Sequence, residues 1–419
     1  MPDAAARPRR APPTTWELRR HRLFTPVARA VLRRCRRSPA RAAPKVTILL
    51  VHAWGMGGTI RTMLNVAGWL AQRYEVEVIS VWRTRERPFF AFPPGVVVTA
   101  ADDRRRGAGG RAARVLRRVP GALLFPGDRT ARRMTLWTDL QLLRRLRAAR
   151  SDVIIGTRPA LNLLVAQVGG APAVVASEHA PFDAYGRLLR REIRRRYAGL
   201  DAVVVLGEAE RAPFEALVRG SVHVIPNALP LACDRRARLD RPVVVAAGRL
   251  VPAKRYDRLI RAFAVVAAAH PDWRLRICGR GPERKALQAL VTALELDERA
   301  LLVGPVRDIE AELEAASIFA LSSHVEGLPL ALLEAMAKGL AVVSFDGPAG
   351  PREVIEHGVD GLLVPAADEA ALAHAICGLI ESEALRARLG AAAIDKARMY
   401  GIAAVGPRWD ALVARLTVG

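Results

Sequence analysis

The 419-residue sequence is poor in several features that would announce a function class. It has no run of about 18 consecutive apolar residues, so no membrane-spanning helix is expected. Its start lacks the compact apolar core of a secretory signal. The four cysteines, Cys35, Cys233, Cys278 and Cys377, lie too far apart for the paired spacings of a metal or redox site. We read a reducing, cytoplasmic setting with structural thiols. Lysine is scarce, 5 residues against 60 arginines, a bias that also favours the bland reading of any arginine cluster. No Gly-Lys-Ser/Thr phosphate loop is found.

What is present is 51% hydrophobic and 25% charged residues, which excludes a wholly disordered chain. At roughly 100–200 residues per domain, two or three domains are expected. The net charge of +24 is unevenly spread. Residues 1–240 hold 44 basic and 19 acidic residues, a balance of +25; residues 241–419 hold 21 and 22, a balance of −1. A protein of two domains, one of them basic, shows this split naturally. Nucleic acid is not expected as a partner.

Three basic clusters stand out: residues 1–45, the run Arg104 to Arg118, and Arg187 to Arg196. Each reads either as attraction to an anionic membrane or polymer, or as a solvated basic face. In the first cluster Trp16, Leu23, Phe24, Val27 and Val31 fall roughly on one helical face among arginines, with Pro26 interrupting. Residues 1–44 therefore read as a basic tail that is either disordered or a membrane-associating amphipathic helix.

Short apolar runs alternate with helical patterns from Val46 onward. Val46–His52 and Val76–Val81 flank a helix over 59–72, a βαβ unit that implies a parallel sheet. Further short strands are expected at 96–99, 153–155, 173–176, 203–206 and 222–225. Residues 104–133 look irregular, a surface insertion. A second series starts at Val243, with strands at 274–278, 301–303, 318–321, 341–344 and 361–364. The fold class is α/β: two doubly wound Rossmann-like domains facing across a cleft. The expected boundaries are 45–226 for the first domain, 227–240 for a linker and 241–400 for the second. A helix over 401–419 is expected to return to the first domain.

The densest signal is Ser322 to Gly339, which follows a strand and opens a helix at Pro329. The free N–H groups around Leu330 and Ala331 suit an anion such as a diphosphate. Glu326 lies before the helix and Glu334 about 7.5 Å along it. That spacing suits a nucleotide sugar, with Glu334 accepting ribose hydroxyls and Glu326 the hexose hydroxyls. A carboxylate among Leu332, Leu333, Ala335 and Met336 is costly unless it is used. In the loop Gly248 to Asp257, Arg249 and Lys254 can converge on a phosphate pair and stabilise a departing nucleoside diphosphate. Gly279, after a strand, either shapes a base pocket or turns the chain into a helix. Gly57 and Gly58 allow close approach of backbone to a phosphate or sugar. Ile60 stands where a dinucleotide fingerprint needs glycine, so a nicotinamide or flavin enzyme is disfavoured. His179 could hydrogen-bond a sugar hydroxyl or be purely structural. Asp102-Asp103 is followed by arginines, and no metal site is read.

These residues resemble glycosyltransferase family 4, retaining enzymes of GT-B architecture, from about Lys45 to Leu416. Glu326 and Glu334 match the family's Glu-x7-Glu pair, Gly248-Arg249 with Lys254 its diphosphate motif, Gly57-Gly58 its glycine loop, and Asn227 its Ile-Pro-Asn segment. Asp346 to Glu353 resembles a subgroup acting in surface-polysaccharide and wall-polymer assembly. The resemblance implies that Arg249 and Lys254 bind the donor diphosphate and Glu334 the ribose. Glu326 and His179 would contact the donor sugar, and the Gly57-Gly58 backbone would approach the phosphates. It also implies no metal or other cofactor, and front-face substitution. The donor would be a nucleotide-diphosphate sugar, a UDP-sugar first among them, and the acceptor a cell-surface glycan, wall polymer or lipid-linked sugar. The 1–44 tail and residues 104–133 fall outside the shared pattern, and Ala228 replaces the usual glycine after Asn227. The alternatives are a non-catalytic polyanion or membrane binder of the same fold, and a nucleotide-sugar epimerase.

Overall fold

The apolar runs become strands because their side chains are buried on both faces. Val46, Ile48, Leu49 and Leu50 of the first strand are all essentially inaccessible to water. The computed structural model describes residues 12–36, 43–169, 172–231, 233, 236–347 and 350–418. It divides into two units, one holding residues up to Ala228 together with Val405–Gly419, the other Leu229–Ala404.

The first unit is built on a seven-stranded sheet: β1 (Lys45–Leu50), β2 (Glu75–Arg83), β3 (Val96–Asp103), β4 (Val153–Gly156), β5 (Ala173–Ser177), β6 (Ala202–Val205) and β7 (Ser221–Val224). All pairs are parallel, in the order β3-β2-β1-β4-β5-β6-β7. The second unit carries β8 (Val243–Ala247), β9 (Arg274–Cys278), β10 (Ala300–Gly304), β11 (Ile318–Leu321), β12 (Ala341–Phe345) and β13 (Leu362–Val364). These are also all parallel, in the order β10-β9-β8-β11-β12-β13. Both are doubly wound α/β sheets. In each, the strand order reverses beside the first strand, between β1 and β4 and between β8 and β11. Ligands of such sheets bind at the carboxyl ends of the strands flanking that point.

Three stretches differ from the sequence reading. Within the tail, Thr15–Leu32 is an ordered helix opened by a reciprocal cap between Thr14 and Glu17. It packs on the helix Leu136–Ala149, burying His21, Ala28 and Leu32. The expectation of disorder therefore fails for residues 12–36; residues 1–11 and 37–42 lie outside the described residues. Leu18, Phe24 and Val31 also pack against the core, so the apolar face expected from the sequence is split: Phe24 and Val31 turn inward while Trp16, Leu23 and Val27 are exposed.

The stretch 104–133 is no loose surface insertion. It contains the short helix Arg111–Leu116 and buries Leu123, Leu124 and Phe125. His21 Nδ1 lies 2.8 Å from the Ala122 carbonyl, and its ring meets Phe125 edge-on at 5.7 Å. The two segments outside the family pattern thus pack on each other. Several arginines of the second cluster are occupied internally. Buried Asp102 accepts from Arg104 Nε at 2.7 Å, Arg117 Nη2 at 2.7 Å and Thr138 Oγ1 at 2.7 Å, while Arg105 pairs with Asp103. In the third cluster Arg190 pairs with Asp183 and Arg196 with Glu192.

Within the 227–240 stretch, Leu229, Ala237 and Leu239 are fastened to the second unit: Leu229 N donates to Tyr400 O, Ala237 N to Lys338 O, and Arg386 Nη2 to Leu239 O. The helix Ile402–Val418 ends in the first unit. There Asp410 accepts from the Trp69 indole at 2.9 Å, and a side chain at Gly406 would meet the Trp69 ring at 2.4 Å.

Candidate functional site

In the second unit the loops after β8 and β11 sit on either side of the strand-order reversal. The chain leaves β8 at Gly248, whose N–H donates to Cys278 O at the end of β9. The loops after β8 and β9 then meet backbone to backbone. A Cβ at Gly279 would lie 1.8 Å from the Gly248 carbonyl oxygen, and one at Gly281 would lie 2.0 Å from Leu250 O. Gly279, with φ +156, is therefore required by close approach, whatever else it does.

The loop goes on through a 3-10 turn, Pro252–Lys254, and then Arg255 at φ 50, into the helix Tyr256–Ala269. That turn holds the loop after β11: Ser322 Oγ donates to Lys254 O at 2.8 Å, and His324 N donates to Ala253 O at 2.9 Å. Lys254 Nζ donates to Glu326 Oε1, and both side chains are largely buried. Two residues 72 apart in sequence are thus in direct contact. Glu326 is fixed from behind as well, since a side chain at Gly350, φ +80, would lie 2.9 Å from its Cβ. Arg249 is exposed beside this pair in sequence.

Pro329 caps the helix Leu330–Ala337 rather than opening it. The Leu332 and Leu333 N–H groups both turn to the Pro329 carbonyl. The N–H groups of Leu330 and Ala331 precede the first intrahelical donor and have no acceptor within the helix. Glu334 is 6% exposed, between Leu333 and Ala335, which are fully buried. It does not point into bulk water.

In the first unit, Gly57 precedes the helix Gly58–Leu70, after β1. A side chain at Gly57 would touch only Ile60 Cδ1, at 3.9 Å, so space stands open above its backbone. His179 follows β5. It lies 3.2 Å from Ser177 Oγ, and Asn227 of the Ile-Pro-Asn segment stands near enough to act on its ring. Burial pushes the His179 imidazole down to about 4, against the opposing pull of Asn227. It is therefore neutral at pH 7, a hydrogen-bonding group and not a cation. An NMR titration of the His179 ring should give a midpoint near 4. A midpoint near the ordinary 6.5 would mean that the ring is solvated.

Glu178 has no role of its own in the sequence reading. It is 2% exposed and bonded by Tyr185 OH at 2.5 Å, by Asn162 Nδ2 at 2.7 Å and by Tyr197 OH. Burial raises its carboxyl above the usual range. This network fixes the end of β5 from which His179 projects. One signal was available: two of the chain's five tyrosines stand within 20 residues after Glu178. Among the described residues no group of three or more His, Cys, Asp or Glu side chains is placed to hold a metal ion.

Two family models match the chain, Glycosyltransferase Family 4 over residues 56–232 and Glycosyl transferases group 1 over residues 234–396. An exopolysaccharide phosphotransferase of Streptomyces coelicolor is 34% identical over 89% of this chain, which spans 41% of that relative's length. An uncharacterized glycosyltransferase of Haemophilus influenzae is 26% identical, with 88% of this chain and 99% of that one covered. A GDP-mannose-dependent phosphatidylinositol monomannoside mannosyltransferase of Mycobacterium tuberculosis is 28% identical over 76% of this chain and 85% of its own. Among solved structures, Anabaena HepE with UDP and glucose has a TM-score of 0.69 at 19% identity, covering 89% of this chain and 100% of that one. The pneumococcal O-GlcNAc transferase GtfA with UDP and GlcNAc reaches 0.71 at 14% identity, covering 90% and 99%.

Proposed function

Since the chain belongs to the family 4 glycosyltransferases and has the GT-B fold, we propose that it moves a sugar from a nucleotide-diphosphate donor to a glycan, wall-polymer or lipid-linked acceptor with retention of anomeric configuration. The observation that carries this reading is the Lys254–Glu326 contact beside the strand-order reversal, with buried Glu334 on the helix just beyond.

In this reading the second unit holds the donor. Arg249 and Lys254 take the diphosphate, the Leu330 and Ala331 N–H groups add partial positive charge, and Glu334 accepts the ribose hydroxyls. Lys254 exchanges Glu326 for a phosphate oxygen, which frees Glu326 for the hydroxyls of the sugar. Within the first unit, neutral His179 and the open backbone at Gly57 are the groups able to bind a sugar hydroxyl or a phosphate. The bond from the anomeric carbon to the phosphate oxygen breaks, and the acceptor oxygen bonds to that carbon on the same face. The acceptor's proton passes to the leaving phosphate oxygen, and the nucleoside diphosphate departs. The two cations supply the charge stabilisation, so the proposed step needs no metal.

The basic first unit meets the acceptor, for which an anionic glycan or lipid-linked sugar is the fitting class. The test offers UDP-sugars and GDP-mannose with lipid-linked and polymeric acceptors and follows nucleotide release and the product's anomeric proton by NMR. An α-donor should give an α-product. A β-product overturns retention, and a sugar product of unchanged mass identifies an epimerase.

A further inference from the structure

The helix Thr15–Leu32 is anchored on one side only. His21, Ala28 and Leu32 are buried, and just beyond the helix so is Cys35. The other side carries Trp16, Leu23 and Val27, which are 60%, 79% and 57% exposed. At the helical pitch these three project within about 40° of one another, so they form one stripe. Arg19, Arg22, Arg29 and Arg33 occupy the adjoining sector, all exposed. Among the described residues no carboxylate pairs with any of the four. The helix's one acid, Glu17, is engaged in its cap. The surface lies before residue 56, where the family match begins, and does not depend on the proposed transfer.

We propose that this face docks on an anionic lipid bilayer, with the helix lying in the headgroup plane. Trp16, Leu23 and Val27 would enter the acyl boundary and the arginine row would meet lipid phosphates. The chemistry selects this occupant over two others. A soluble polyanion would satisfy the arginines but offer the apolar stripe nothing to enter. A second copy of the chain would bury the stripe but bring two unopposed arginine rows together. The helix cannot be tested by deletion, because Ala28, Leu32 and Cys35 belong to the core of the first unit. Leu23 and Val27 can be changed without touching that core.

The experiment is co-sedimentation of the full chain with vesicles of phosphatidylcholine alone and of equal parts phosphatidylcholine and phosphatidylglycerol. The chain should partition onto the anionic vesicles, and less so as salt is raised. L23E/V27E should lower the partition coefficient at least about ten-fold at low salt, with an unchanged melting curve. R22S/R29S should lower it about five-fold per arginine and flatten the salt dependence. Equal partitioning of L23E/V27E and the parent chain would overturn the proposal, as it would leave only diffuse charge attraction. Retention on heparin without vesicle binding would assign the face to a soluble polyanion instead. A concentration-dependent dimer abolished by L23E/V27E, without vesicle binding, would assign it to a second copy.

Discussion

Arg249→Ala and Lys254→Ala should each cut sugar transfer by about 10²–10³-fold, the usual cost of removing one fixed donor from a centre where charge develops. Their reasons differ, and so should their kinetics. Arg249 is exposed and free to meet a phosphate without rearrangement, so its loss should fall on both donor affinity and turnover. Lys254 is engaged by Glu326 before any donor arrives. Its removal also leaves a largely buried carboxylate without its cation, beside the proposed diphosphate site. Lys254→Ala should therefore weaken donor binding more than Arg249→Ala, and Lys254→Ala/Glu326→Gln should recover part of that binding but none of the turnover. Glu334→Ala should raise the donor KM by about 10–100-fold, as expected for hydrogen bonds to a charged group at roughly 1.5–3 kcal/mol each. Isothermal titration with nucleotide and steady-state kinetics separate these outcomes. If Lys254→Ala bound donor as the parent chain does, Lys254 would have no part in the diphosphate site.

The second large effect concerns stability. Asp102 is fully buried and gathers Arg104, Arg117 and Thr138 on its two oxygens. Asp102→Ala should cost about 3–4 kcal/mol, because it leaves two guanidinium groups partly buried without their anion. Arg104 also lies over the Trp82 ring at 4.7 Å, and Arg133 lies 5.1 Å from the same ring, so the loss would spread to the end of β2. Urea denaturation followed by fluorescence should show the first unit melting earlier while the second holds. A change under about 1 kcal/mol would mean that the arginines are as well served by water.

The same cluster shows what a sequence can and cannot tell. A doublet of aspartates followed by arginines reads as a rejected metal site beside a basic patch; the fold makes it one internally paired knot. The information needed was that residue 117 returns to residue 102, which no local period carries. The strands were readable because they are buried on both faces, and apolar composition alone marks such runs. The motifs of the proposed donor site were readable because each follows a strand and abuts a helix, and because Glu334 stands among apolar residues in the sequence. The direct Lys254–Glu326 contact was not readable, since it depends on β8 and β11 being neighbours, and neither was the tyrosine and asparagine set around Glu178. The amino-terminal helix misled in one respect. Its large apolar side chains suggested one face, but Trp16, Leu23 and Val27 look outward, while Phe24 and Val31 join His21, Ala28, Leu32 and Cys35 in the attachment.

The helix Ile402–Val418 has a consequence for how the chain is made. The first sheet is complete once β7 has emerged, yet Trp69 still lacks the Asp410 and Gly406 surface that covers it. At about 5–20 residues per second, the intervening stretch delays that cover by roughly ten to forty seconds. During synthesis the amino-terminal lobe must wait, its indole uncovered, for a segment translated after the whole of its neighbour.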